Sequence, residues 1–533
     1  MMPTLHPELI AALRDDLAEA SYTVASVTDL LGPVAAAALS RDQALPAERI
    51  TRASANPVAV LVRLFALGDP VEQALVASAL PRLGSAGAIR LGLARAEGDA
   101  LVAIVDLRPY TDGELMWWIA SDLGELATRA PLPEDHVLGV GGASTTLASW
   151  TPRPDVIRAL DLGTGCGVQA LHLGAHAREI VVTDISQRAL AFVRFNAALN
   201  GQNWDIRHGS MLDPVAGEQF SLIVSNPPFV ITPRGHGLPT FEYRDAGERG
   251  DAVVEHLVTH VGQHLEPGGM AQLLGNWEIV DGAPWTHRVG AWAREAGVDV
   301  WVIQREVQDP AQYAETWARD GGHLSGTGEF ARMYAAWLDD FASREVTGIG
   351  FGVITLHRPS TDRAPFVELL DARAPVRLPM GATILAGMRA RAWLAEHSDE
   401  EVLDATWVVA PDITLAQHFR PGRADPEAIE LRQGGGLQRR ESLDTGAASY
   451  LSVADGDLTP RQALAAIAGL LESDQGELVA AMVPRLRSWI ADGILLPEGN
   501  SAEVPEGTSA DVPEANSADA PEGNSAEAAF RTT

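Results

Sequence analysis

The sequence predicts an α/β fold, with a mostly parallel sheet covered by helices between residues 135 and 358. Two observations support this prediction: strand-like and helix-like stretches alternate, and a glycine-rich turn follows the first strand. The strand-like stretches are DVIRALDLG, EIVVTDIS, NWDIRHG, FSLIVSNPP, GGMAQLLGN, VDVWVIQRE and GIGFGVITLHR. Helix-like stretches such as QRALAFVRFNAALNG and GDAVVEHLVTHVGQHL lie between them, as the crossovers of a parallel sheet require.

Length and composition limit what surrounds this sheet. The chain has 533 residues, 46% of them hydrophobic, which is enough for about two to four domains. A net charge of −31 favours solubility and argues against a large basic nucleic-acid footprint, although a local basic face stays open. The single cysteine, Cys166, excludes an intramolecular disulfide framework and fits a reducing cytoplasm. No apolar run reaches the roughly 18 residues of a membrane span, so we expect a cytoplasmic protein without membrane contact.

Residues 1–130 precede the sheet and predict a helical accessory domain. PELIAALRDDLAEA, PVAVLVRLFALG and PVEQALVASALPRL have apolar residues at helical spacing, each with a proline near its start. DALVAIVDLRPYTDGELMWWIASDL then reads as strands around a turn. Helices followed by a hairpin indicate a winged-helix-like module, and a helical cap packed on the next domain is an equal alternative.

The glycine-rich turn in ALDLGTGCGVQAL points to a small-molecule site. Gly163, Gly165 and Gly167 let the backbone approach a ligand and present amide donors to it. Asp184 ends the second strand about twenty residues later, where a carboxylate can accept both hydroxyls of a ribose. A turn that only packs helix against strand is one alternative, and a dinucleotide site is another. The dinucleotide fingerprint G-x-G-x-x-G needs a glycine at Val168, which disfavours that alternative.

With Asp161 before its first glycine, this D-x-G-x-G-x-G pattern resembles motif I of class I S-adenosylmethionine-dependent methyltransferases. The resemblance implies a Rossmann-like, seven-stranded sheet, in which the glycine loop holds the methionine part of the cofactor and Asp184 holds the ribose. It also implies cofactor contacts from other residues near these motifs. The expected cofactor-binding residues are Asp161, Gly163, Thr164, Gly165, Gly167, Asp184, Ile185, Asp213 near the adenine, and Asn226. We expect Cys166 to be a packing residue, because no basic group adjoins it in sequence.

SNPPFV follows the fourth strand, at the carboxyl edge where open α/β sheets bind ligands. The oxygens of the Asn226 side chain and the Pro227 carbonyl can both accept N–H bonds from a planar nitrogen and aim its lone pair. Pro228 stiffens the turn, and Phe229 can stack on the target group. The tetrapeptide resembles motif IV, [D/N]-P-P-[Y/F/W], of amino methyltransferases, and implies Asn226, Pro227, Pro228 and Phe229 as catalytic residues. A Pro-Pro turn without chemistry is the alternative. No metal is expected, since a sulfonium is a good leaving group.

Two families share this tetrapeptide: glutamine N5-methyltransferases of release factors and N6-adenine methyltransferases. The stretch FEYRDAGERGDAVVEHL resembles the glutamine family, with Glu242, Arg244, Gly250 and Asp251 at the matching positions. VLGVGGASTTLASW departs from that family, since it lacks the Pro-Arg and the Glu of the segment before motif I. Thr145 and Thr146 within it are candidate cofactor contacts.

Residues 365–496 predict a second accessory domain, helix-rich and winged-helix-like. TWVVAPDITL and EAIELRQGG read as short strands, and TPRQALAAIAGLLES and ELVAAMVPRLRSWIADGILLP as amphipathic helices, with Thr459 capping the first. Arg439 and Arg440 in GGGLQRRES are read as a solvated charged turn rather than a phosphate contact. Residues 497–533 repeat a proline every eight residues, at Pro497, Pro505, Pro513 and Pro521, and predict a disordered acidic tail.

The function predicted from the sequence is S-adenosylmethionine-dependent methylation of a planar nitrogen, with a protein glutamine on a release-factor-like partner as the leading acceptor. Adenine in RNA or DNA is the runner-up. A small-molecule acceptor and an inactive cofactor-binding protein stay open, and the sequence gives no oligomeric state.

Overall fold

The N-terminal region of the computed structural model is mostly helical. The structure describes residues 2–41, 43–130, 132–234, 242–245, 249–320, 326–422 and 426–498. The helices of this region are α1 (Pro7–Glu19), α2 (Val24–Leu39), α3 (Leu45–Arg52), α4 (Pro57–Leu61), α5 (Gln73–Ala79) and α6 (Gly84–Arg90), and its strands are β1 (Val71–Glu72), β2 (Ala94–Glu97), β3 (Ala100–Ala103), β4 (Asp106–Thr111) and β5 (Met116–Ser121). Prolines open the first turns of α1, α3 and α4, where the missing N–H costs nothing.

The N-terminal region has the element order of a winged helix and also packs on the next domain. After α4, the chain forms β1, the helix pair α5–α6 and the hairpin β2–β3, and the antiparallel sheet has the order β1-β3-β2. The second hairpin, β4–β5, lies against the core, where the side chains of Asn196 and Asn200 bond to the backbone of Ala120 and Trp118. The hairpin expected around the TDGE turn is β4–β5, which packs on the core, whereas the winged-helix order is completed by the separate hairpin β2–β3.

The middle of the chain forms the large sheet. Its strands are β6 (Val156–Leu162), β7 (Ala177–Asp184), β8 (Asp205–His208), β9 (Phe220–Ser225), β10 (Leu265–Val280), β11 (Asp299–Gln308), β12 (Val346–His357) and β13 (Val367–Asp371). Its helices are α7 (Glu125–Thr128), α8 (Gly142–Trp150), α9 (Val168–Leu173), α10 (Gln187–Leu199), α11 (Ala252–His260), α12 (Trp285–Glu295), α13 (Pro310–Asp320) and α14 (Gly328–Ser343). The strand order is β13-β11-β12-β10-β9-β6-β7-β8, with β12 antiparallel to both of its neighbours and the other pairs parallel.

This sheet corrects the sequence-based strand count. Seven strands were expected, and an eighth, β13, pairs in parallel with the outer strand β11. The pairing becomes possible because the chain returns past the edge of the sheet on its way to the C-terminal region, and Val300 to Gln304 of β11 offer free ladder positions there. The helical hairpin α13–α14 fills the connection between β11 and β12.

The C-terminal region combines helices with two small sheets. Its helices are α15 (Gly381–Glu396), α16 (Asp399–Asp404), α17 (Thr445–Leu451), α18 (Pro460–Leu471) and α19 (Gln475–Ala491), and its strands are β14 (Trp407–Val409), β15 (Ile413–His418), β16 (Ala428–Gln433), β17 (Arg440–Leu443) and β18 (Leu495–Pro497). The strands β15, β16 and β17 form an antiparallel meander, and β18 pairs with β14. Thr459 caps α18 in a capping box with Gln462.

The expected tail lies outside the described residues, apart from Pro497 and Glu498 at its start. Within the described ranges, no single helix is long and apolar enough to cross a membrane; the bent pair α1 and α2 passes the same test together, by length and composition only.

Candidate active site

The glycine loop joins β6 to α9 and has the backbone shape that only glycine adopts easily. Gly163, Gly165 and Gly167 have φ values of 71°, 58° and 92°. A Cβ on Gly167 would lie 3.1 Å from the ring of Trp204, so this position also requires the absence of a side chain. The N–H groups of Gly163 and Thr164 donate to the carbonyl of Thr183 on β7, at 3.0 and 2.9 Å. The loop is therefore held against the neighbouring strand.

Asp161 lies beneath this loop rather than in front of it. Its carboxylate is 1% exposed and accepts hydrogen bonds from the Thr164 hydroxyl at 2.6 Å and from the Ala170 N–H at 3.0 Å. Burial raises the pKa of Asp161 to about 7, and these two hydrogen bonds oppose the rise. The arrangement makes Asp161 a brace between the glycine loop and the first turn of α9.

Asp184 and Ile185 end β7 on the other side of the loop. One oxygen of Asp184 accepts from the Gly165 N–H at 2.9 Å, and the other accepts from the Ser186 N–H at 2.8 Å. Burial is the main cause that raises the pKa of Asp184. Ile185 leaves 59% of its surface exposed, so an apolar face is available beside the carboxylate. A polar group next to an apolar face suits a nucleoside.

Asn226 to Phe229 follow β9 at the same edge of the sheet. The Asn226 oxygen Oδ1 is buried and accepts no hydrogen bond from any described residue. The preceding Ser225 donates its hydroxyl to the Leu162 carbonyl at 2.7 Å, which fixes the end of β9 against β6. The ring of Phe229 meets Trp317 of α13 edge to face, with 6.5 Å between centroids. A buried acceptor without a donor costs free energy and indicates that a ligand supplies the donor.

One cavity of about 340 Å³ joins these segments. Of the residues predicted for the site, those that line it are Gly163, Thr164, Gly165, Asp184, Ile185, Asn226, Pro227 and Pro228. Asp161 and Gly167 lie behind the loop, and Phe229 packs on α13. Asp213 is exposed at the start of a 3-10 turn, outside the lining, and Gly209 to Met211 line the cavity in its place. Cys166 also lines it, and burial raises its thiol pKa to about 12, in line with a packing role.

Two further segments complete the lining, and the sequence analysis had named Thr145 and Thr146 in the first and Glu242 in the second. His136 to Gly139 and Ser144 belong to the segment before β6, and Ser144 takes the place expected for Thr145, which is exposed, and Thr146, which is outside the lining. Glu242, Tyr243 and Asp245 come from the segment after the NPPF tetrapeptide. The glycine-rich VLGVGGAS was the available signal for the first segment, since close backbone approach needs glycine.

The positions matched to the glutamine family divide into two groups. Glu242 lines the cavity, whereas Arg244 and Asp251 are buried in ion pairs. Arg244 pairs with Asp320 of α13 at 2.5 Å, and Asp251 pairs with Arg288 of α12 at 2.5 Å. Gly250 has a φ of 59°, and a Cβ there would meet the Glu278 carboxylate at 2.9 Å. Arg244, Gly250 and Asp251 therefore hold the segment in place.

The cavity is acidic. Asp184, Glu242 and Asp245 contribute three carboxylates to its lining, and no arginine is among the described lining residues. Burial lowers the pKa of His136, so this side chain adds no charge at neutral pH. In the described ranges, no three His, Cys, Asp or Glu side chains are grouped to hold a metal ion.

These features fit S-adenosylmethionine. Its ribose hydroxyls match Asp184, its adenine matches the exposed face of Ile185, and its methionine part matches the amides of the glycine loop. Its positive charge matches the acidic lining, and the Asn226 oxygen is left for an acceptor N–H.

Known proteins are similar to parts of this chain. Residues 139–280 match the methyltransferase small domain, and residues 19–104 match a domain of unknown function (DUF7059). A release factor glutamine methyltransferase of Deinococcus radiodurans is 41% identical over 120 residues, which cover 21% of this chain and 43% of that protein. One of Xylella fastidiosa is 31% identical over 201 residues, which cover 35% of this chain and 71% of that protein. A ribosomal protein uL3 glutamine methyltransferase of Xanthomonas campestris is 31% identical over 199 residues, which cover 33% of this chain and 62% of that protein. The chain thus spans less than half of the first of these relatives and about two thirds of the other two.

Two solved structures are similar at lower identity. A methyltransferase from Pyrococcus furiosus is 16% identical, with 40% of this chain and 80% of that chain covered and a TM-score of 0.25. A putative class I S-adenosylmethionine-dependent methyltransferase from Listeria monocytogenes is 13% identical. The match covers 50% of this chain and 74% of that chain, and its TM-score is 0.28.

Proposed function

The chain belongs to the same family of class I S-adenosylmethionine-dependent methyltransferases as the release factor glutamine methyltransferases, and on this basis we propose that it methylates the side-chain amide nitrogen of a glutamine in a partner protein. The observation that carries the proposal is the buried, unpaired Oδ1 of Asn226 at the end of β9. Protein relatives that act on glutamine in a release factor or in ribosomal protein uL3 support the same acceptor class.

Asn226 and Pro227 would act by positioning the acceptor. S-adenosylmethionine supplies an activated methyl group when bound. An amide nitrogen is a poor nucleophile because its lone pair is delocalised into the carbonyl. Accepting its two N–H bonds at the Asn226 oxygen and at the Pro227 carbonyl fixes the nitrogen and directs the lone pair toward the cofactor side of the cavity. The stiffness of Pro227-Pro228 keeps the two acceptor oxygens in place before the substrate binds.

The charge of the cavity favours an amide over a nucleotide. Three carboxylates line it, no arginine is among the described lining residues, and the whole chain contains no lysine. Arg244, which lies between the lining residues Tyr243 and Asp245, is engaged with Asp320 and Asp245. A neutral amide meets no repulsion here, whereas a phosphate meets like charge.

Adenine methylation is the second candidate, because the N-terminal region has winged-helix element order. Its arginines argue against a nucleic-acid surface, since several are engaged by carboxylates of the same region. Arg52 pairs with Asp69, Arg82 with Asp16 and Glu19, Arg95 with Glu97, and Arg108 with Asp106. Paired arginines of this kind give little of the counterion release on which DNA and RNA affinity depends.

A partition of transferred label tests the acceptor class. The purified protein is incubated with methyl-labelled S-adenosylmethionine and lysate from cells that lack it, and aliquots are treated with protease or nuclease before counting. We expect protease to release the label from the macromolecular fraction and nuclease to leave it there. Release by nuclease would make adenine the acceptor. Label only in small molecules would make the acceptor a metabolite, and no label despite cofactor binding would make the protein an inactive binder.

A further inference from the structure

Glu242 has a fixed position at the cofactor cavity. Its N–H donates to the carbonyl of Glu134 at 2.9 Å, so the segment after the NPPF tetrapeptide is tied to the segment before β6. The next residue, Tyr243, stacks its ring edge to face on His136, with 5.9 Å between centroids, and its hydroxyl donates to Asp320 at 3.0 Å. Glu242 is therefore held over the cavity from both sides.

Glu242 is also the cavity carboxylate that the protein leaves unengaged. Both oxygens of Asp184 accept backbone N–H bonds. Asp245 accepts from the Thr232 hydroxyl at 2.5 Å and lies 3.4 Å from the Arg244 guanidinium. The Glu242 carboxylate, in contrast, has no hydrogen bond or ion pair with any described residue. It acts on Asp184 by repulsion, and that repulsion contributes to the raised pKa of Asp184.

Asp184 and the exposed Glu242 both line the cavity, close enough for the charge of Glu242 to raise the pKa of Asp184, so a positive charge on a ligand between them would be attracted by both. The methyl donor carries two cationic groups, an ammonium on its methionine part and a sulfonium beside its ribose. The glycine loop, on the far side of Asp184, suits the methionine part. The sulfonium has to lie between the ribose at Asp184 and the acceptor at Asn226, and Glu242 lines the same cavity within electrostatic reach of Asp184.

We propose that Glu242 selects the charged methyl donor over the neutral product by facing the sulfonium. On transfer, the C–S bond electrons stay on sulfur, which becomes a neutral thioether, while the amide nitrogen gains the methyl group and releases one proton to water. The product S-adenosylhomocysteine thus keeps the ribose, the adenine and the ammonium but lacks the charge that Glu242 attracts. The inference rests on the proposed methyl-transfer function and does not depend on which acceptor is used.

Calorimetric binding of three ligands without an acceptor tests this role. The ligands are S-adenosylmethionine, S-adenosylhomocysteine and sinefungin, whose amine is cationic near the sulfonium position. In Glu242→Gln, we expect the Kd of the first and third to rise about tenfold and that of S-adenosylhomocysteine to change less than about twofold, because only the charge-dependent attraction is lost. Glu134→Gln is the matched control: it removes an exposed acid from the adjoining segment, outside the cavity lining, and we expect no change in the ratio of the affinities.

The ionic-strength dependence of the unaltered protein gives a second measure. We expect added salt to weaken the binding of S-adenosylmethionine more than the binding of S-adenosylhomocysteine, because salt screens the additional charge interaction. Equal losses for all three ligands in Glu242→Gln would mean that Glu242 contacts the ammonium or the ribose, and unchanged affinities would mean that it contacts no ligand. Either result overturns the proposal. Neither result would test the proposed glutamine acceptor, since no acceptor is present in the measurement.

Discussion

Asn226 and Asp161 show how differently two polar residues at the ends of neighbouring strands can serve one site. Asn226 presents an unpaired oxygen to the cavity, whereas Asp161 turns both of its hydrogen bonds inward, to Thr164 and Ala170. Both could be located from sequence, because Asp161 lies near the carboxyl end of β6 and Asn226 directly follows β9. Only the structure separates a residue that faces a ligand from one that braces the loop.

Asn226→Ala is expected to lower turnover strongly and to leave the affinity for the cofactor unchanged. Losing one preorganised hydrogen-bond acceptor lowers turnover by about 10²–10³-fold, because the nitrogen lone pair is no longer aimed. Initial rates of label transfer measure the first effect, and calorimetric titration with S-adenosylmethionine measures the second. Ser221→Ala, which removes a hydroxyl bonded to Glu266 at the start of β9 and outside the cavity lining, serves as the control and should keep its turnover. Turnover within tenfold of the unaltered protein would exclude the proposed role of Asn226.

Asp161→Asn is expected to change the pH dependence of stability. The folded-state pKa of about 7 lies above the unfolded-state value near 3.8, so the folded protein holds more protons than the unfolded chain between these values. The stability contributed by this group is thus complete below pH 4 and falls as the pH rises toward 7, by about 1.4 kcal/mol per pH unit.

Asparagine keeps an acceptor oxygen and cannot ionise, so the stability difference between variant and unaltered protein should shift in favour of the variant from pH 5 to 7 and level off above. Thermal unfolding without cofactor at several pH values measures this difference. A difference that does not vary with pH would mean that Asp161 is not the titrating group.

Asp213 shows where residue-level prediction reached its limit. The sequence predicts that β8 ends near His208, but it does not predict the path of the loop that follows. That loop brings Gly209, Ser210 and Met211 to the cavity and turns Asp213 outward. A motif spacing predicts a side chain well when it immediately follows a strand, as at Asp184 and Asn226, and poorly once a flexible turn intervenes.

At the scale of elements, the glycine loop depends on a contact with the connection after α10. Trp204 follows that helix and lies against Gly167, so the loop and the neighbouring connection fix each other. The pattern D-x-G-x-G-x-G predicted the loop but not Trp204, because that residue is distant in sequence and carries no motif.

Gly167→Ala is expected to lower both stability and cofactor affinity. Its backbone φ of 92° costs a residue with a Cβ about 1–2 kcal/mol, and the contact with Trp204 adds to this cost. Gly217→Ala is the matched control, since Gly217 has a φ of 78° with nothing within 4 Å of a Cβ. Thermal unfolding and calorimetric titration of both variants isolate the contact. Equal losses would mean that the Trp204 contact is unimportant.

Helix α13 of the helical hairpin α13–α14 contacts the segment that follows the NPPF tetrapeptide. Tyr313 of α13 accepts from the Ile231 N–H at 2.8 Å, and Asp320 at its end holds Arg244 and Tyr243. The sequence indicated two helices in this connection. It could not show that they pack on the segment after NPPF, because that packing joins residues about 80 positions apart.

At the scale of the whole molecule, the sheet edge joins the C-terminal region to the core. Arg391 of α15 is 5% exposed, lies over the Trp301 ring of β11 at 3.8 Å and pairs with Glu368 of β13 and Asp492 beyond α19. The predicted regions are therefore connected through the eighth strand that the sequence did not reveal. Val367 to Asp371 form a five-residue edge strand, too short for a periodic signal.

Arg391→Ala is expected to loosen the C-terminal region from the core. Removing the cation takes away the partner of the partly exposed Glu368 and the contact with Trp301, while Asp492 keeps Arg439 as a partner, and we expect this loss to cost about 1.5–3 kcal/mol. Calorimetry should show the unfolding of the C-terminal region moving to a lower temperature. Arg461→Ala is the matched control, because Arg461 also pairs with two acids, Glu400 and Asp404, but at the surface, where such pairs contribute little. A similar small effect from both variants would contradict the proposed connection.

The most direct test of the central claim is to locate the transferred methyl group by fragmentation mass spectrometry of the labelled protein acceptor. The account predicts one added methyl group on the side-chain amide nitrogen of a glutamine, formed by the unaltered protein and formed at least about 100-fold more slowly by Asn226→Ala at matched times. A methyl group on another type of side chain, or one that Asn226→Ala forms within tenfold of the unaltered rate, would contradict the claim that this site holds a glutamine amide through Asn226.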